Sequence, residues 1–178
     1  MRIVEIPILG RPLAGKTTIL QRARDAFGGQ LHSHELQGRA CRVAALHIQT
    51  DAVHGHLWCV QGSAAAEWIV PLLPERSPAI FVFDGEPSHG WFEAHAGHVD
   101  LARSVVIVTK ADLDADPRAA IPEALRGRPF IHVAARDPRC APEVQRLLRE
   151  HFASFERPAN ARPLQERVAL ASLVRSAG

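Results

Sequence analysis

The segment Gly10-Arg11-Pro12-Leu13-Ala14-Gly15-Lys16-Thr17 constrains this chain more than any other stretch of its sequence. Residues 2–9 before it alternate around an apolar core and predict a strand, and residues 16–27 carry apolar positions at helical spacing. A glycine loop between a strand and a helix curls its backbone N–H groups around an anion, which the helix dipole also attracts. The spacing Gly-x4-Gly-Lys-Thr therefore predicts a phosphate-binding loop.

The side chains of this loop predict how a nucleotide and its metal ion would be held. Lys16 is expected to reach the terminal phosphates, and the Thr17 hydroxyl is expected to bind Mg²⁺. The phosphate-binding residues predicted from the loop are Gly10, Ala14, Gly15, Lys16, Thr17 and Thr18.

The lysines of the chain are restricted to two places. Of its 21 lysine and arginine residues, only Lys16 and Lys110 are lysines. Lysine is a compact point charge whereas arginine is a planar fork, so these exceptions indicate positions where a lysine is required. Lys110 belongs to Thr109-Lys110-Ala111-Asp112, which directly follows an apolar stretch that predicts a buried strand. A doubly wound sheet places its binding crevice at such strand ends.

The segment around Lys110 indicates which base is recognised. The Asp112 carboxylate can accept hydrogen bonds from N1–H and the exocyclic amine of guanine, a donor pair that adenine lacks. Lys110 can lay its stem over the base, and a backbone N–H after the last predicted strand can donate to the guanine carbonyl. The predicted guanine-binding residues are Thr109, Lys110, Asp112, Ala134, Ala135 and Arg136.

Strand-like and helical stretches alternate along the chain, which predicts an α/β fold with a P-loop doubly wound sheet. Strands are predicted at 2–9, 42–50, 55–61, 79–85, 104–109 and 130–134. Helices are predicted at 16–27, 64–73, 91–102, 117–126 and 142–155, with a C-terminal helix at 164–177. We expect six mostly parallel strands with one antiparallel edge strand, and an exposed loop over residues 30–41. Residues 1–156 would form the domain and 157–178 a linker and helix.

The composition excludes several classes of function. A net charge of +2 with scattered arginines argues against a nucleic-acid partner, and no stretch has the roughly 20 apolar residues of a membrane helix. The N-terminus reads as a strand rather than a signal peptide, and three cysteines without CxxC spacing favour a reduced, cytoplasmic setting.

With both motifs in place, the chain resembles the Ras-like small GTPases, and most closely the bacterial MglA-type branch. The resemblance rests on Gly-x-x-Leu-x-Gly-Lys-Thr-Thr-x-Leu-Gln, here Gly10 to Gln21, and covers about residues 1–155. It implies a six-stranded sheet with five helices, binding of GTP and GDP with Mg²⁺, and two loops that switch with the γ-phosphate. It also implies a Roadblock-type regulator, or another protein effector, as a partner.

The chain departs from that family at the residues of hydrolysis. Cys59 stands where the resemblance implies an aspartate near Mg²⁺, Gly62 is retained as a γ-phosphate contact, and Ser63 takes the place of the catalytic glutamine. Serine is too short to orient an attacking water as that glutamine does. The remaining candidates for catalysis or metal binding are Gln61 and Glu67, Arg39 or Arg42 as an internal arginine finger, and Ser33, the only hydroxyl in 28–41, for Mg²⁺.

These patterns support one main hypothesis and leave alternatives open. The main one is a guanine-nucleotide switch with slow, partner-stimulated GTP hydrolysis. A pseudo-GTPase scaffold without useful turnover is the second, and a P-loop ATPase or kinase, with Asp84 holding Mg²⁺, is the third. His54-Gly55-His56 and His95-Ala96-Gly97-His98 invite a metal site, but a structural zinc site needs four ligands, so solvated histidines are favoured.

Overall fold

The structure, a computed structural model, describes residues 2–35, 42–49, 53–61, 72–73, 76–85, 89–111 and 116–152. Its strands are β1 (Arg2–Leu9), β2 (Gln30–Glu35), β3 (Arg42–Gln49), β4 (Val53–Gln61), β5 (Ile80–Phe83), β6 (Val105–Val108) and β7 (Phe130–His132). Its α-helices are α1 (Lys16–Phe27), α2 (His89–Ala96) and α3 (Ala141–Phe152). Short 3₁₀ turns lie at Leu101–Arg103, Glu123–Leu125 and Pro138–Cys140.

The seven strands form one sheet in the order β2-β3-β4-β1-β5-β6-β7. Strands β4, β1, β5, β6 and β7 run parallel, while β3 is antiparallel to both β2 and β4. The mixed, mostly parallel sheet confirms the predicted α/β class. The predicted strand count was wrong by one, because residues 30–35 form β2 rather than a loop. As a result, β2 is the edge strand, and the antiparallel β3 lies between β2 and β4.

Apolar side chains fill both faces of the sheet. One cluster joins β1, β3 and β4 to α1 and α3, through residues such as Ile6, Leu20 and Leu148. The other lies on the opposite face and includes Trp58, Phe81 and further residues of β3, β5 and β6. All four residues of β5 and all four of β6 are buried, as expected for parallel strands covered on both sides.

The predicted helices are found in part. Helix α1 has the predicted bounds, α2 ends at Ala96 rather than continuing to 102, and α3 covers most of 142–155. The prediction at 117–126 was wrong, since only turns and the 3₁₀ segment Glu123–Leu125 occur there. Pro122 explains this, because it lacks an N–H donor and pushes the preceding residue out of the helical region. The predicted helices at 64–73 and 164–177 fall almost wholly outside the described residues, as does 157–178.

The histidines do not all conform to the solvated state that the sequence favoured. His95 in α2 is buried, donates a 2.7 Å hydrogen bond from Nδ1 to the Trp91 carbonyl, and stacks on the Trp91 ring. Among the described residues, no helix combines the length and the apolar character needed to cross a membrane.

Candidate nucleotide-binding site

The predicted phosphate loop joins β1 to α1 and packs against the ends of the neighbouring strands. A Cβ on Gly10 would collide with the Val82 carbonyl of β5, so the loop can leave the sheet there only with glycine. Gly15 has φ 94°, in the left-handed region, and Leu13 adopts φ 65° although it is not a glycine. Non-glycine residues in this region are strained and concentrate at functional sites.

Lys16 is the first residue of α1 and lies inside the loop. Lys16 is 7% exposed, and its Nζ donates hydrogen bonds to the carbonyls of Gly10 at 2.7 Å and Arg11 at 2.8 Å. Burial lowers the pKa of Lys16, while the nearby acidic groups of Cys59 and Asp84 oppose that change. The fold therefore holds the amino group of Lys16 inside the loop that the sequence predicts to bind phosphate.

Thr17 of α1, which is predicted to bind magnesium, contacts the side chain of Cys59. The Cys59 thiol of β4, which is fully buried, is hydrogen-bonded with Thr17. Burial raises the pKa of Cys59 to about 11, although the charge of Lys16 and the bond with Thr17 lower it. The Thr17 hydroxyl suits Mg²⁺, which prefers oxygen ligands, whereas a neutral thiol does not replace the carboxylate implied at this position.

Asp84, at the end of β5, ties the phosphate loop to the predicted base loop. Its carboxylate accepts two hydrogen bonds from the Arg11 guanidinium, at 2.9 and 2.7 Å, and one from Lys110 Nζ at 3.0 Å. Burial raises the pKa of Asp84, but the hydrogen bonds and charges of Arg11 and Lys110 outweigh it, so the pKa lies below its usual range. Both oxygens of Asp84 are engaged by these two cations, and the role of magnesium ligand in the ATPase alternative stays a prediction.

Thr109 makes a second connection between the two loops. Its Oγ1 donates to the carbonyl of Ala14 at 2.9 Å and to the carbonyl of Phe83 at 3.2 Å. A Cβ on Gly15 would lie 3.3 Å from Thr109 Cγ2, so the methyl group of the threonine packs against the phosphate loop. Lys110 follows with φ 61°, the second strained position in this part of the molecule.

The third predicted segment lies after β7 and is attached to α1. Arg22 of α1 donates from Nε to the Ala135 carbonyl at 3.0 Å and from Nη2 to the Arg136 carbonyl at 3.3 Å. Ala134 accepts a 2.7 Å hydrogen bond from the Asp137 N–H, which closes a tight turn. The backbone N–H of Ala111 donates to the Val133 carbonyl, which ties this turn to the Thr109–Lys110 segment.

Several solved structures share the fold of this chain. The chain aligns with bacterial selenocysteine-specific elongation factor EF-Sec at a TM-score of 0.61 and 12% identity, covering 88% of this chain and 30% of that one. The G domain of the Thermotoga maritima FeoB iron transporter aligns at 0.54 and 14% identity, covering 96% and 99%. The cytosolic domain of FeoB in a GDP form aligns at 0.56 and 15%, covering 84% and 63%.

The chain has the fold of a GTPase G domain. It spans less than a third of the elongation factor, about two-thirds of the FeoB cytosolic domain and nearly all of the FeoB G domain. No protein-family model and no curated protein sequence matches it. The MglA-type branch of the resemblance stays a prediction, because identities of this size show the fold alone.

Within this G-domain fold, the predicted residues fall into three groups. The structure brings the loop residues Gly10, Ala14, Gly15, Lys16, Thr17 and Thr18 together with Thr109, Lys110, Ala134, Ala135 and Arg136 at the carboxyl ends of the parallel strands. Arg39, Gly62, Ser63, Glu67 and Asp112 lie outside the described residues. Gln61 ends β4, but its side chain is likewise not described.

Ser33 occupies a different place from the one the sequence predicted. It lies exposed in β2, where Ala44 of β3 is its partner and Cys59 of β4 is the partner of Ala44. Two strand spacings, about 10 Å, separate its backbone from that of Cys59. The structure therefore does not bring Ser33 to Thr17, and a role in binding Mg²⁺ stays a prediction.

Sequence reasoning missed the joint role of Arg11 and Asp84. Arg11 is one of the variable positions of the Gly-x4-Gly-Lys-Thr pattern, and the sequence alone indicates Asp84 only as a possible magnesium ligand. The available signal was an acidic residue ending an otherwise apolar strand, which needs a cationic partner when it is buried.

Proposed function

We propose that this chain is a guanine-nucleotide-binding molecular switch that hydrolyses GTP slowly and depends on a partner for faster turnover. The observation that carries this proposal is the bonding of the two predicted recognition loops to each other. Thr109 donates to Ala14 of the phosphate loop, and Asp84 holds both Arg11 and Lys110. Phosphate and base contacts would thus be made by one connected structure, as binding of a single nucleotide requires.

The chemistry of each contact follows from the described residues. Lys16 would bind the terminal phosphates together with the backbone N–H groups of the loop. Thr17 would offer its hydroxyl to Mg²⁺, and that ion would supply positive charge to offset the charge of the phosphates. Lys110 and the turn at Ala134–Arg136 would contact the base, and Asp112 would distinguish guanine from adenine.

A pseudo-GTPase is the second candidate, and Cys59 favours it. The group beside Thr17 is a buried thiol with a pKa of about 11, so it brings no negative charge to a metal ion at neutral pH. Weaker positioning of Mg²⁺ would slow phosphoryl transfer, which depends on charge stabilisation and alignment. A Roadblock-type regulator or another effector would supply what is missing if the chain is a switch.

Nucleotide binding and hydrolysis measured on the same purified sample test both candidates. We expect calorimetry to show tight binding of GTP and GDP and weak binding of ATP. Asp112→Asn should lower GTP affinity strongly, because an amide cannot accept both guanine donors. Equal binding of ATP and GTP, or unchanged GTP affinity in the variant, would contradict guanine recognition.

Single-turnover hydrolysis separates the switch from the scaffold. The switch predicts slow conversion of bound GTP that a protein partner accelerates, whereas the scaffold predicts none with or without partners. Fast conversion by the isolated chain would contradict both, since neither includes an efficient intrinsic active site.

A further inference from the structure

A row of polar side chains crosses four adjacent strands on the face of the sheet that α1 does not cover. Glu5 of β1 is the register partner of His56 of β4, and His56 is the register partner of His47 of β3. His32 of β2 completes the row, with its ring centroid 5.2 Å from that of His47. Neighbouring register positions present their side chains to one face. We call these four residues the histidine row.

The two central imidazoles of the row are in direct contact. His56 Nε2 lies 2.8 Å from His47 Nδ1 and 2.5 Å from His47 Nε2. A tetrahedral ion with metal–nitrogen distances near 2.0–2.1 Å holds two ligand nitrogens about 3.3 Å apart. Moving the two rings apart by less than about 1 Å gives this nitrogen spacing, and because the rings now lie at 76° to each other, the His47 ring must also turn so that one of its nitrogens faces the ion. His47 is exposed, so its ring can make this adjustment without disturbing the core.

The surroundings of the pair suit a divalent cation. Glu5 is only 2% exposed although it is ionisable, and its register position places a carboxylate beside His56. Metal-bound histidines commonly donate their second ring N–H to a carboxylate, which also offsets the charge of the ion. An open cavity of about 660 Å³, lined in part by His32, His47, His54 and His56, gives solvent and ions access to the row.

We propose that His47 and His56 chelate a divalent transition-metal ion of the class that imidazole prefers, such as Zn²⁺ or Cu²⁺. In the described part of the chain, no three His, Cys, Asp or Glu side chains are arranged as a metal site, so water would have to supply the remaining ligands of this ion. His56 pairs with Glu5, four residues before the end of β1 and so about 13 Å from the phosphate loop. The site is therefore separate from the nucleotide site and does not rest on the proposed function.

Titration of the metal-stripped full chain with Zn²⁺, followed by calorimetry without nucleotide, tests this proposal. We expect one equivalent per chain, more than about tenfold weaker binding in His47→Gln, and loss of that equivalent in the His47→Gln, His56→Gln double variant. Because the chain has ten histidines, His98→Gln, which changes another exposed histidine, is the matched control and should bind as the wild type does.

Two further measurements keep the result decisive. Circular dichroism and unfolding temperature in the absence of metal identify any variant that fails to fold, in which case the exposed His47→Gln alone decides. Electron paramagnetic resonance with Cu²⁺ should show two coordinated nitrogens in the wild type and one in His47→Gln. Absence of binding in the wild type, or equal uptake by the folded His47 variant, would overturn the proposal.

Discussion

Polar side chains lie in two regions of the sheet, and the two regions differ in how deeply those side chains are buried. At their carboxyl ends, Lys16 and Asp84 are 7% and 4% exposed, and partners on other elements hold them at 2.7–3.0 Å. Farther back along β3 and β4, His47 is exposed and His56 half-buried, and the two contact each other across neighbouring strands. In the first region, packing and hydrogen bonds hold the charged groups of Lys16 and Asp84 in place. In the second region, the contact between His47 and His56 depends mainly on strand register. We therefore expect substitutions in the first region to alter nucleotide binding, stability or both, and those in the second region to leave both unchanged.

The largest effect should come from Lys16→Met. We expect GDP affinity to fall at least about 100-fold, or about 2.7 kcal/mol, because a charged hydrogen-bond donor to phosphate is lost. The unfolding temperature without nucleotide should not fall, since burial already penalises this ammonium and lowers its pKa. Calorimetry and thermal unfolding measure the two quantities. Arg146→Met, which changes an exposed cation of α3, is the control and should bind GDP normally.

The next effect concerns Cys59 at alkaline pH. Its pKa is raised from 9.0 to about 11, so its contribution to stability is complete below pH 9 and is lost as pH rises through 11. Two pH units correspond to about 2–3 kcal/mol. The chain has no tyrosine and only two lysines, so few other groups titrate there.

Urea unfolding between pH 8 and pH 11 measures this loss. Cys59→Ala should remove most of the alkaline decline, whatever its effect on stability at pH 8. Cys140→Ala should retain most of it, although burial also raises the pKa of that thiol. An unchanged decline in Cys59→Ala would show that the thiol is not the titrating group.

A smaller effect is expected for Asp84→Asn. The neutral amide leaves Arg11 and Lys110 without their shared anion, but both are about a third or more exposed, so solvent limits the cost to about 1–2 kcal/mol. Because the Asp84 pKa is lowered, its contribution is present above the usual carboxylate pKa and is lost as pH falls through the folded-state value. The variant should therefore show a weaker acid dependence.

Nucleotide binding distinguishes an anchor of the two loops from a general stabilising ion pair. We expect Asp84→Asn to weaken GDP binding severalfold, because both recognition loops lose their common partner. Glu150→Gln removes an exposed carboxylate of α3 that pairs with Arg146, and it should leave GDP binding unchanged. Equal GDP affinity in the two variants would mean that the Asp84 network does not position the site.

The smallest effect should be that of His47→Gln on the metal-free chain. We expect the free energy of unfolding to change by less than about 0.5 kcal/mol, since the side chain is exposed. GDP affinity should also be unchanged. Urea unfolding and calorimetry measure both, and a loss above about 2 kcal/mol would place this histidine in the core and remove the contrast between the two regions.

The two predicted recognition loops could be located in the sequence because each pattern is local. Gly10 to Thr17 is contiguous, so the spacing of its glycines, lysine and threonine shows directly in the sequence. The bond between Arg11 and Asp84 spans 73 residues. An acidic residue after an apolar strand indicates that Asp84 needs a cationic partner, but nothing in either segment identifies Arg11 as that partner. The fold brings them together because the phosphate loop and the end of β5 lie at the same edge of the sheet.

Strand β2, in contrast, could not be predicted from its own residues. Gln30-Leu31-His32-Ser33-His34-Glu35 has one apolar residue and little strand propensity, so the sequence predicted a loop. Its six residues pair along the edge of β3, whose own apolar run Val43-Ala44-Ala45-Leu46 is enough to identify it as a strand. Backbone hydrogen bonds to a neighbouring strand, which depend little on side chains, override the local preference.

The sequence by itself determined the α/β class and the positions of the two predicted recognition loops, because apolar periodicity and contiguous motifs act over a few residues. Tertiary structure alone decided that Asp84 joins those loops, that Cys59 contacts Thr17, and that His47 meets His56. These contacts join residues on different strands and loops. Strand order and register set such distances, and both arise from packing of the whole sheet.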